Sequence, residues 1–289
     1  MDATPNARPE RRLARTLRRN RWLLARRALQ LALLATFAGA PWIGTPLVKG
    51  TLAASVWFGG VPLADPLVAL QAALAGATLP AAVLLGALAV AAFYALLAGR
   101  LFCAWVCPVG LVTDAAEALR RGLGLQRIGL LRADRRLRRV VLAALLAASA
   151  ATGSVVWESV NPIGWTLRGF AFGLWGGAAV ALGAVFLFDL LVLRHGWCGH
   201  LCPVGAFYGL LGRFGRLHVR AVNPDACTRC GDCFAVCPEV QVIAPVLRPD
   251  ATRRAITDVD CLRCGRCIDR CDEGVFAFRL APFTKERHP

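Results

Sequence analysis

The sequence has little charge for its length. Only 18% of its 289 residues are charged, whereas 57% are hydrophobic and the mean hydropathy is +0.53. Such a composition is too apolar for an ordinary soluble domain, so the charges have to be segregated along the chain. Acidic residues are scarce, 18 against 34 basic residues, and only two of the basic residues are Lys. A net charge of +16 fits either nucleic-acid binding or a membrane protein whose basic residues collect in cytoplasmic loops.

The distribution of arginine decides between these two classes. Apolar segments at residues 28–48, 79–99, 140–156 and 171–193 are each close to the ~20 residues that a membrane-spanning helix needs. Nine Arg precede the first segment and nine lie in the loop 100–139, while the other two loops hold one Lys and one Arg. The positive-inside rule therefore predicts a multi-pass protein of a bacterial inner membrane, with both termini in the cytoplasm. This distribution argues against nucleic-acid binding.

Histidine is absent from all four predicted spans. This absence argues against haem held between two His ligands within the bundle, and nothing in the spans bridges ~30 Å of hydrocarbon for electrons. In the first span, Ala38-Gly39-Ala40 also fits the cleavage site of a signal peptide, an alternative that leaves the downstream orientation unchanged. We expect a basic cytoplasmic arm (residues 1–27), a four-span membrane domain (28–216) and a cytoplasmic domain (217–289).

The twelve cysteines all fall in spaced clusters or beside the ends of apolar segments, a pattern of metal ligation rather than of a secreted disulfide protein. Residues 227–238 and 261–271 each contain C-x2-C-x2-C-x3-C, and the first motif ends in the Cys-Pro of bacterial ferredoxins. Structural zinc is the main rival, but it usually shows paired C-x2-C knuckles. The pattern predicts two [4Fe–4S] clusters in which the fourth Cys of each motif binds the other cluster. The expected ligands are Cys227, Cys230, Cys233 and Cys271 for the first cluster, and Cys261, Cys264, Cys267 and Cys237 for the second.

The same region carries two expectations about local structure. The fourth Cys of each motif should begin the helix that follows it. Residues 240–246 and 255–259 should form short strands over the clusters. Together these features predict an α+β domain like a bacterial ferredoxin, attached to a mainly α-helical membrane domain.

The remaining four cysteines belong to an internal repeat. Cys103 and Cys107-Pro108 follow the second span, and Cys198 and Cys202-Pro203 follow the fourth span in the same orientation. Two parallel hairpins related by an axis along the membrane normal are therefore expected. Pro at the first helical position should make the preceding Cys an N-cap, where the helix end favours thiolate. The two pairs either supply four ligands to a further metal centre, form a thiol/disulfide couple, or simply pack at a helix break.

Ionisable groups at membrane depth mark candidate quinol-binding residues, since a quinol loses protons as it loses electrons. Asp189 lies inside the fourth predicted span, and His195 and His200 follow it. An ion pair between Asp189 and Arg194 that anchors the helix end is the structural alternative. On the outer side, Glu158 is a further candidate in the short link between the third and fourth spans.

The chain resembles the NapH family, the membrane ferredoxin-type subunits associated with periplasmic nitrate reductase. The resemblance covers nearly the full length and includes both cluster motifs and residues 40–42, 100–108 and 188–192. It also includes Val-Pro-Leu-Ala-Asp-Pro-Leu at 61–67, Trp-Glu-Ser-Val-Asn-Pro at 157–162 and His-Gly-Trp-Cys-Gly-His-Leu-Cys-Pro-Val-Gly-Ala at 195–206. It implies a quinol dehydrogenase subunit that draws on the quinone pool and passes electrons towards the reductase through a periplasmic ferredoxin-type partner, NapG.

Related membrane ferredoxins serve methylamine utilisation, nitrous oxide respiration and cytochrome oxidase assembly. They share the cysteine motifs, so these motifs alone do not select the pathway, and the loop and fourth-span stretches favour NapH. The competing function is that of a maturation factor or redox sensor for a respiratory metalloenzyme. A transporter subunit is supported only by the parallel repeat.

Overall fold

A computed structural model of the chain describes residues 16–17, 19–43, 48–125, 134–173 and 175–281, with side chains 40–43 and 171 also left undescribed. Most of the predicted basic arm and residues 126–133 of the middle loop lie outside this part. The helices and strands of the N-terminal three quarters are α1 (Arg21–Ile43), β1 (Val48–Gly50), β2 (Ala54–Trp57), β3 (Val61–Ala64), α2 (Pro66–Leu74), α3 (Ala81–Leu96), α4 (Leu101–Trp105), α5 (Val109–Gly122), α6 (Leu137–Thr152), α7 (Val156–Val160), α8 (Pro162–Phe172), α9 (Trp175–Leu187) and α10 (Pro203–Leu211).

Each predicted span coincides with one long helix: α1, α3, α6 or α9. Among the described residues, only Trp175–Val192, which is α9 and the π-helical turn after it, is both long and apolar enough to cross a membrane; α3 is apolar but shorter. The first helix ends at Ile43, five residues before the predicted end, and Val48 already belongs to a strand.

Residues 48–74 form a small folded unit in the segment predicted to be a loop between the first and second spans. Strands β1, β2 and β3 make an antiparallel sheet, and Trp57 pairs with both Val48 and Val61. The turn between β2 and β3 places Phe58 and Gly59 in the left-handed region. Asp65 caps α2 by accepting a hydrogen bond from the Leu67 N–H at 2.8 Å. Strands of three or four residues are too short for their alternation to be recognised in an apolar sequence.

The predicted outer link at residues 157–170 also folds inward. Trp157 in α7 is 3% exposed and belongs to the same buried core as Phe102, Cys107 and Val204. Helix α8 packs along α9 and α1, and its N-cap Asn161 accepts a hydrogen bond from the Ile163 N–H at 3.0 Å. The buried side chains of Trp157 and Ile163 hold the link against the helices, and its outer position stays a prediction.

The C-terminal domain contains β4 (Leu217–Ala221), α11 (Asp232–Val236), α12 (Ala244–Leu247), α13 (Arg266–Arg270) and β5 (Phe276–Leu280). Strands β4 and β5 pair antiparallel, and Val219 lies opposite Phe278. The strand predicted at 240–246 is wrong: these residues form a 3-10 turn followed by α12, whose first turn holds Pro245. At 255–259 only one bridge forms, between Ala255 and Arg220.

The end of α3 meets the end of α10 through two glycines without side chains to separate the backbones. A Cβ added to Gly99 would lie 1.6 Å from the Tyr208 carbonyl oxygen and 2.6 Å from the Gly212 nitrogen. A Cβ added to Gly212 would lie 2.2 Å from the Gly99 nitrogen. This contact joins the ends of the two repeats where the chain enters the C-terminal domain.

We predict that Gly99→Ala destabilises the fold by about 3 kcal/mol or more, because backbone atoms cannot move aside for the new methyl group. The measurement is the thermal unfolding midpoint of the detergent-purified protein. Gly183→Ala is the matched control, since a Cβ at Gly183 in α9 meets nothing within 4 Å. It should leave the midpoint unchanged or raise it slightly. Equal midpoints for the two variants would contradict the close contact.

Candidate iron–sulfur sites

The two cysteine motifs of the C-terminal domain adopt the same loop. Arg229 and Arg263 occupy equivalent positions and both have positive φ, 59° and 50°. Gly231 and Gly265 follow one residue after the second Cys with φ of 85° and 76°, and each caps a short helix. These left-handed residues curl the chain so that successive Cys side chains turn towards one centre.

The fourth Cys of each motif lies at the end of the short helix, not at the start of the next one. Cys237 is the C-cap of α11 and Cys271 is the C-cap of α13. The expectation about helix entry is therefore wrong, because each helix already begins after the capping Gly, just before the third Cys. Each short helix thereby separates the third Cys from the fourth, which can turn away from it.

The cysteines line two cavities in an interleaved manner. Cys227, Cys230 and Cys233 of the first motif share a cavity of about 950 Å³ with Cys271 of the second motif. A smaller cavity is lined by Cys261, Cys264 and Cys267 of the second motif together with Cys237 of the first. We call these the outer site and the inner site, since Cys230 is exposed whereas Cys261, Cys264 and Cys267 are buried. These two groups are the same as the expected ligand sets.

The donor set and its spacing fit a polynuclear cluster. Four cysteine sulfurs around one cavity are the ligands of a [4Fe–4S] cluster. A zinc ion would draw its ligands to about 2.3 Å from one point. In the part of the chain that the structure describes, no three His, Cys, Asp or Glu side chains are close enough to hold a single ion. The residues present therefore match the iron–sulfur group that their spacing predicts.

Charged side chains of both signs line the two sites. The outer site is lined by equal numbers of acidic and basic side chains: Asp225, Asp232, Asp272, Glu273, Arg229, Arg248, Arg254 and Arg270. The inner site is lined by Glu239 and Arg266, and its Cys261 carbonyl accepts a hydrogen bond from Arg263 at 2.8 Å. Because a positive charge stabilises the more negative reduced form of a cluster, Arg263 and Arg266 would raise the reduction potential of a cluster in the inner site.

Arg26 adds to this charge from helix α1. Its side chain is 2% exposed, and it lines a cavity together with Cys264 and interacts electrostatically with that thiol. Asp114 is the nearest carboxylate at 3.8 Å, and the Nε of Arg26 has no hydrogen-bond partner among the described residues. Burial lowers the pKa of Arg26, although a guanidinium stays protonated in proteins. An incompletely paired cation beside the inner site is a candidate donor to an anionic group there.

We predict that Arg26→Gln lowers the reduction potential of one cluster and leaves the other nearly unchanged, because Arg26 is close to Cys264 of the inner site. The measurement is a redox titration followed by electron paramagnetic resonance, which resolves the two reduced clusters. Arg19→Gln is the control, because Arg19 is 40% exposed and pairs with Asp272 at the protein surface, where solvent screens its charge. Equal shifts of both potentials, or no shift, would contradict the assignment.

Buried ion pairs attach the C-terminal domain to the helical part. Arg100 donates to Glu239 Oε1 at 2.7 Å, to the Asp260 carbonyl at 2.7 Å and to the Cys198 carbonyl at 3.1 Å. Arg138 forms an ion pair with Asp260 and lies 3.6 Å from Glu239. No sequence motif predicts a role for these residues. One sequence feature could have indicated a role for Arg100. It stands three positions before the first Cys of its repeat, as His195 does in the other repeat.

The two Cys pairs of the repeat come together in one place. Cys103, Cys107, Cys198 and Cys202 all line a single small cavity, which we call the four-thiol cavity, and its other walls include Trp157, Trp197 and Ile163. Cys202 is the N-cap of α10, as predicted, but the N-cap of α5 is Pro108 and not Cys107. The helix is interrupted within each pair, so neither pair lies on one continuous helix face.

Burial governs the acid–base state of these thiols. It raises the pKa of Cys107 and Cys202, although N–H groups of the following helices donate to both sulfurs and oppose the shift. The expectation that the helix ends favour thiolate is therefore wrong in the absence of a cation, because desolvation outweighs the N–H dipoles.

The quinol candidates approach the four-thiol cavity from two sides. Asp189 is 2% exposed, and its Oδ1 accepts a hydrogen bond from the backbone N–H of Trp197, a residue that lines the cavity. Its Oδ2 has no hydrogen-bond partner among the described residues. On the other side, Glu158 accepts from Asn161 at 3.0 Å and from Arg168 at 3.2 Å, and Asn161 caps α8, whose first residues line the cavity.

The structure does not support the alternative role of Asp189. Arg194 pairs with Glu117 at 3.0 Å and donates to the Ala235 carbonyl, so Asp189 is not the anchor of Arg194. His195 is 5% exposed, and it lines the cavity that contains both Cys198 and Cys264. Burial lowers the pKa of His195 to about 3, so its imidazole is neutral. His200 is also buried, at 7% exposed.

Comparison with known proteins agrees with this division of the chain. A family model described as a 4Fe-4S binding domain matches twice, at residues 79–126 and 174–221, once over each repeat. A second model, a 4Fe-4S dicluster domain, matches residues 220–272. No solved structure matches the chain.

Full-length relatives identify the family. The chain is 46% identical to the methylamine utilization ferredoxin-type protein MauN of Methylorubrum extorquens, over 91% of each chain. It is also 46% identical to the ferredoxin-type protein NapH of Escherichia coli, over 90% of this chain and 89% of the relative, and 41% identical to NapH of Haemophilus influenzae, over 90% of each. The chain belongs to the NapH and MauN family of ferredoxin-type proteins. The identities to MauN and NapH are equal, so they do not assign the chain to either branch of the family.

Proposed function

We propose that the chain is an electron-transfer subunit of a bacterial inner membrane that oxidises quinol and delivers electrons towards a periplasmic nitrate reductase. Membership of a family of ferredoxin-type iron–sulfur proteins is the starting point. The observation that carries the proposal is the position of the inner site. It is fixed by buried ion pairs directly against the helical part that contains the repeats.

The proposed topology is four membrane spans formed by α1, α3, α6 and α9, arranged as two parallel-repeat hairpins. Support comes from the apolar character of these helices, from the family model that matches once per repeat, and from the Arg-rich segments that flank them on one side. The N terminus, the loop 100–139 and the C-terminal domain would then lie in the cytoplasm. Helix lengths of 16 residues in α3 and α6 suit a thin or locally deformed bilayer.

In the C-terminal domain, Cys227, Cys230, Cys233 and Cys271 would hold one [4Fe–4S] cluster, and Cys261, Cys264, Cys267 and Cys237 the other. Such clusters are one-electron carriers whose reduction potential depends on nearby charges, hydrogen bonds to the sulfurs and solvent exposure. Arg266 lines the inner site and would make the cluster there a better electron acceptor.

The proposed quinol site lies beside the four-thiol cavity. Oxidation of one quinol to quinone releases two electrons and two protons, so carboxylates are needed near the place where electrons leave. One carboxylate oxygen of Asp189 has no hydrogen-bond partner among the described residues, and Glu158 is connected through Asn161 to the start of α8, which lines the cavity. His195 and His200, also buried nearby, are further proton-transfer candidates.

The proposed partner is a periplasmic ferredoxin-type subunit like NapG, together with the quinone pool. A MauN-like role in methylamine utilisation is the alternative destination for the electrons, since this relative is equally similar. The choice between the two depends on the partner and not on the chemistry of this chain.

We predict that a menaquinol analogue bleaches the iron–sulfur absorbance near 400 nm of the anaerobically purified protein, because the chain itself takes electrons from quinol. The control is dithionite, which should bleach the same band whether or not the protein oxidises quinol. Bleaching by dithionite together with no response to quinol would refute the proposed function.

Asp189→Asn should slow quinol-driven bleaching by roughly 100-fold, the usual loss when a proton acceptor is removed. An Asn side chain keeps an oxygen that accepts from the Trp197 N–H, so the fold should persist. Reduction by dithionite should proceed at the wild-type rate. If the quinol-driven rate is unchanged as well, Asp189 takes no part in proton removal.

A maturation factor or redox sensor for a respiratory metalloenzyme is the second candidate, favoured by the buried thiols of the repeat. Deletion of the gene separates the two functions. A nitrate reductase that is active with an artificial donor but silent with quinol would show electron supply. A cofactor-poor, inactive reductase would instead show maturation.

A further inference from the structure

The four-thiol cavity brings together the four cysteines that lie outside the ferredoxin domain. Its thiols come from chain positions about 95 residues apart, yet they interact electrostatically with one another. Cys107 interacts with Cys103 and Cys202, and Cys198 interacts with all three others. In the structure none of the four forms a disulfide.

Groups around the cavity are arranged to receive negative charge at sulfur. The N–H groups of Val109 and Gly110 are directed at Cys107, and those of Val204 and Gly205 at Cys202, so the two repeats present equivalent donors. Arg100 lines a neighbouring cavity together with Cys103 and donates to the Cys198 carbonyl at 3.1 Å. Backbone N–H groups and a cation near sulfur are the surroundings that stabilise iron–sulfur clusters.

One buried donor on the cavity wall lacks an acceptor. Trp157 is 3% exposed and lines the cavity, and its indole N–H has no hydrogen-bond partner among the described residues. A buried polar group left unpaired costs about 1–3 kcal/mol, so this donor points to an acceptor that belongs in the cavity. The remaining walls, including Phe102, Ile163 and Val204, are apolar and exclude water.

We propose that Cys103, Cys107, Cys198 and Cys202 hold a third iron–sulfur centre, shared between the two repeats. An iron–sulfur core suits this cavity better than a single metal ion, because its bridging sulfides accept hydrogen bonds and the Trp157 indole N–H lacks an acceptor among the described residues. Each repeat provides only two ligands, so the pseudo-twofold arrangement of the chain is what completes the site.

The position of this centre deepens the proposed function, on which its role rests. Cys103 and Cys198 also line the cavity that contains Cys264 of the inner site. The four-thiol centre therefore lies between the inner site and Trp197, whose N–H is held by Asp189. It is placed as the centre nearest to the quinol candidates.

The test is the iron and acid-labile sulfide content of the full-length protein, purified without oxygen, together with its Mössbauer spectrum. Two ferredoxin clusters alone account for about eight iron atoms per chain. We expect about ten or twelve, according to whether the third core has two or four iron atoms, and Mössbauer components that exceed those of two clusters. This measurement on the unaltered protein does not depend on the folding of a variant.

The double variant Cys107→Ala/Cys202→Ala should lose only the excess iron and keep both reduced-cluster resonances. Cys230→Ala is the matched control: it should lose about four iron atoms from the outer site and keep the excess. About eight iron atoms in the wild type, unchanged by the double variant, would overturn the proposal. A pair of thiols that reacts with an alkylating agent only after reduction would likewise overturn it, in favour of a thiol/disulfide couple.

The two proposals fail separately. Excess iron that disappears in the double variant, in a protein that quinol does not bleach, would retain the third centre and reject quinol oxidation. Quinol-driven bleaching of a protein with about eight iron atoms would do the opposite.

Discussion

The salt bridge between Arg100 and Glu239 fixes the relation between the two parts of the molecule. Their side chains are 0% and 2% exposed, and Arg138, Asp260 and Arg135 extend the network. Removing one partner of such a buried pair typically costs 3–5 kcal/mol, because the other charge is left uncompensated. Arg100 also donates to the Cys198 carbonyl, so the same side chain holds the ferredoxin domain and the backbone of a cysteine that lines the four-thiol cavity. Docking and site geometry therefore depend on one guanidinium.

Charged side chains are placed differently around the two sites of the ferredoxin domain. Arg26 and Arg263 are buried near the inner site, and Arg266 lines it. The outer site is lined by as many Arg as acidic side chains, around the exposed Cys230. Because solvent screens buried charges less than exposed ones, the buried guanidinium groups would raise the reduction potential of a cluster in the inner site. The inner site is also the one in contact with the helical part.

The sequence is sufficient to predict features whose geometry depends only on the spacing of residues in a motif. The interleaved grouping of Cys237 with Cys261, and of Cys271 with Cys227, follows from a motif whose loop conformation is set by Gly231 and Gly265. The long apolar helices were also predictable in position. The strands of residues 48–64 were not, because segments this short in an apolar chain have no clear period. The inward fold of the link at Trp157 was hidden as well, since a Trp near a predicted interface normally indicates an aromatic belt.

The inward fold of this link changes the problem of electron transport across the membrane. If residues 157–170 were an outer loop, the candidates Glu158 and Asp189 would belong to opposite surfaces and could not serve one quinol. In the structure, Asn161 and Trp197 connect them to two walls of the same cavity. A quinol head group bound beside this cavity would be close to a candidate proton acceptor at each of these walls. Under the proposed topology the predicted spans contain no His ligand for haem, so a diffusing quinone or a partner subunit would carry the electrons outward. For that reason the partner, rather than the cofactor content, would distinguish a NapH-like from a MauN-like role.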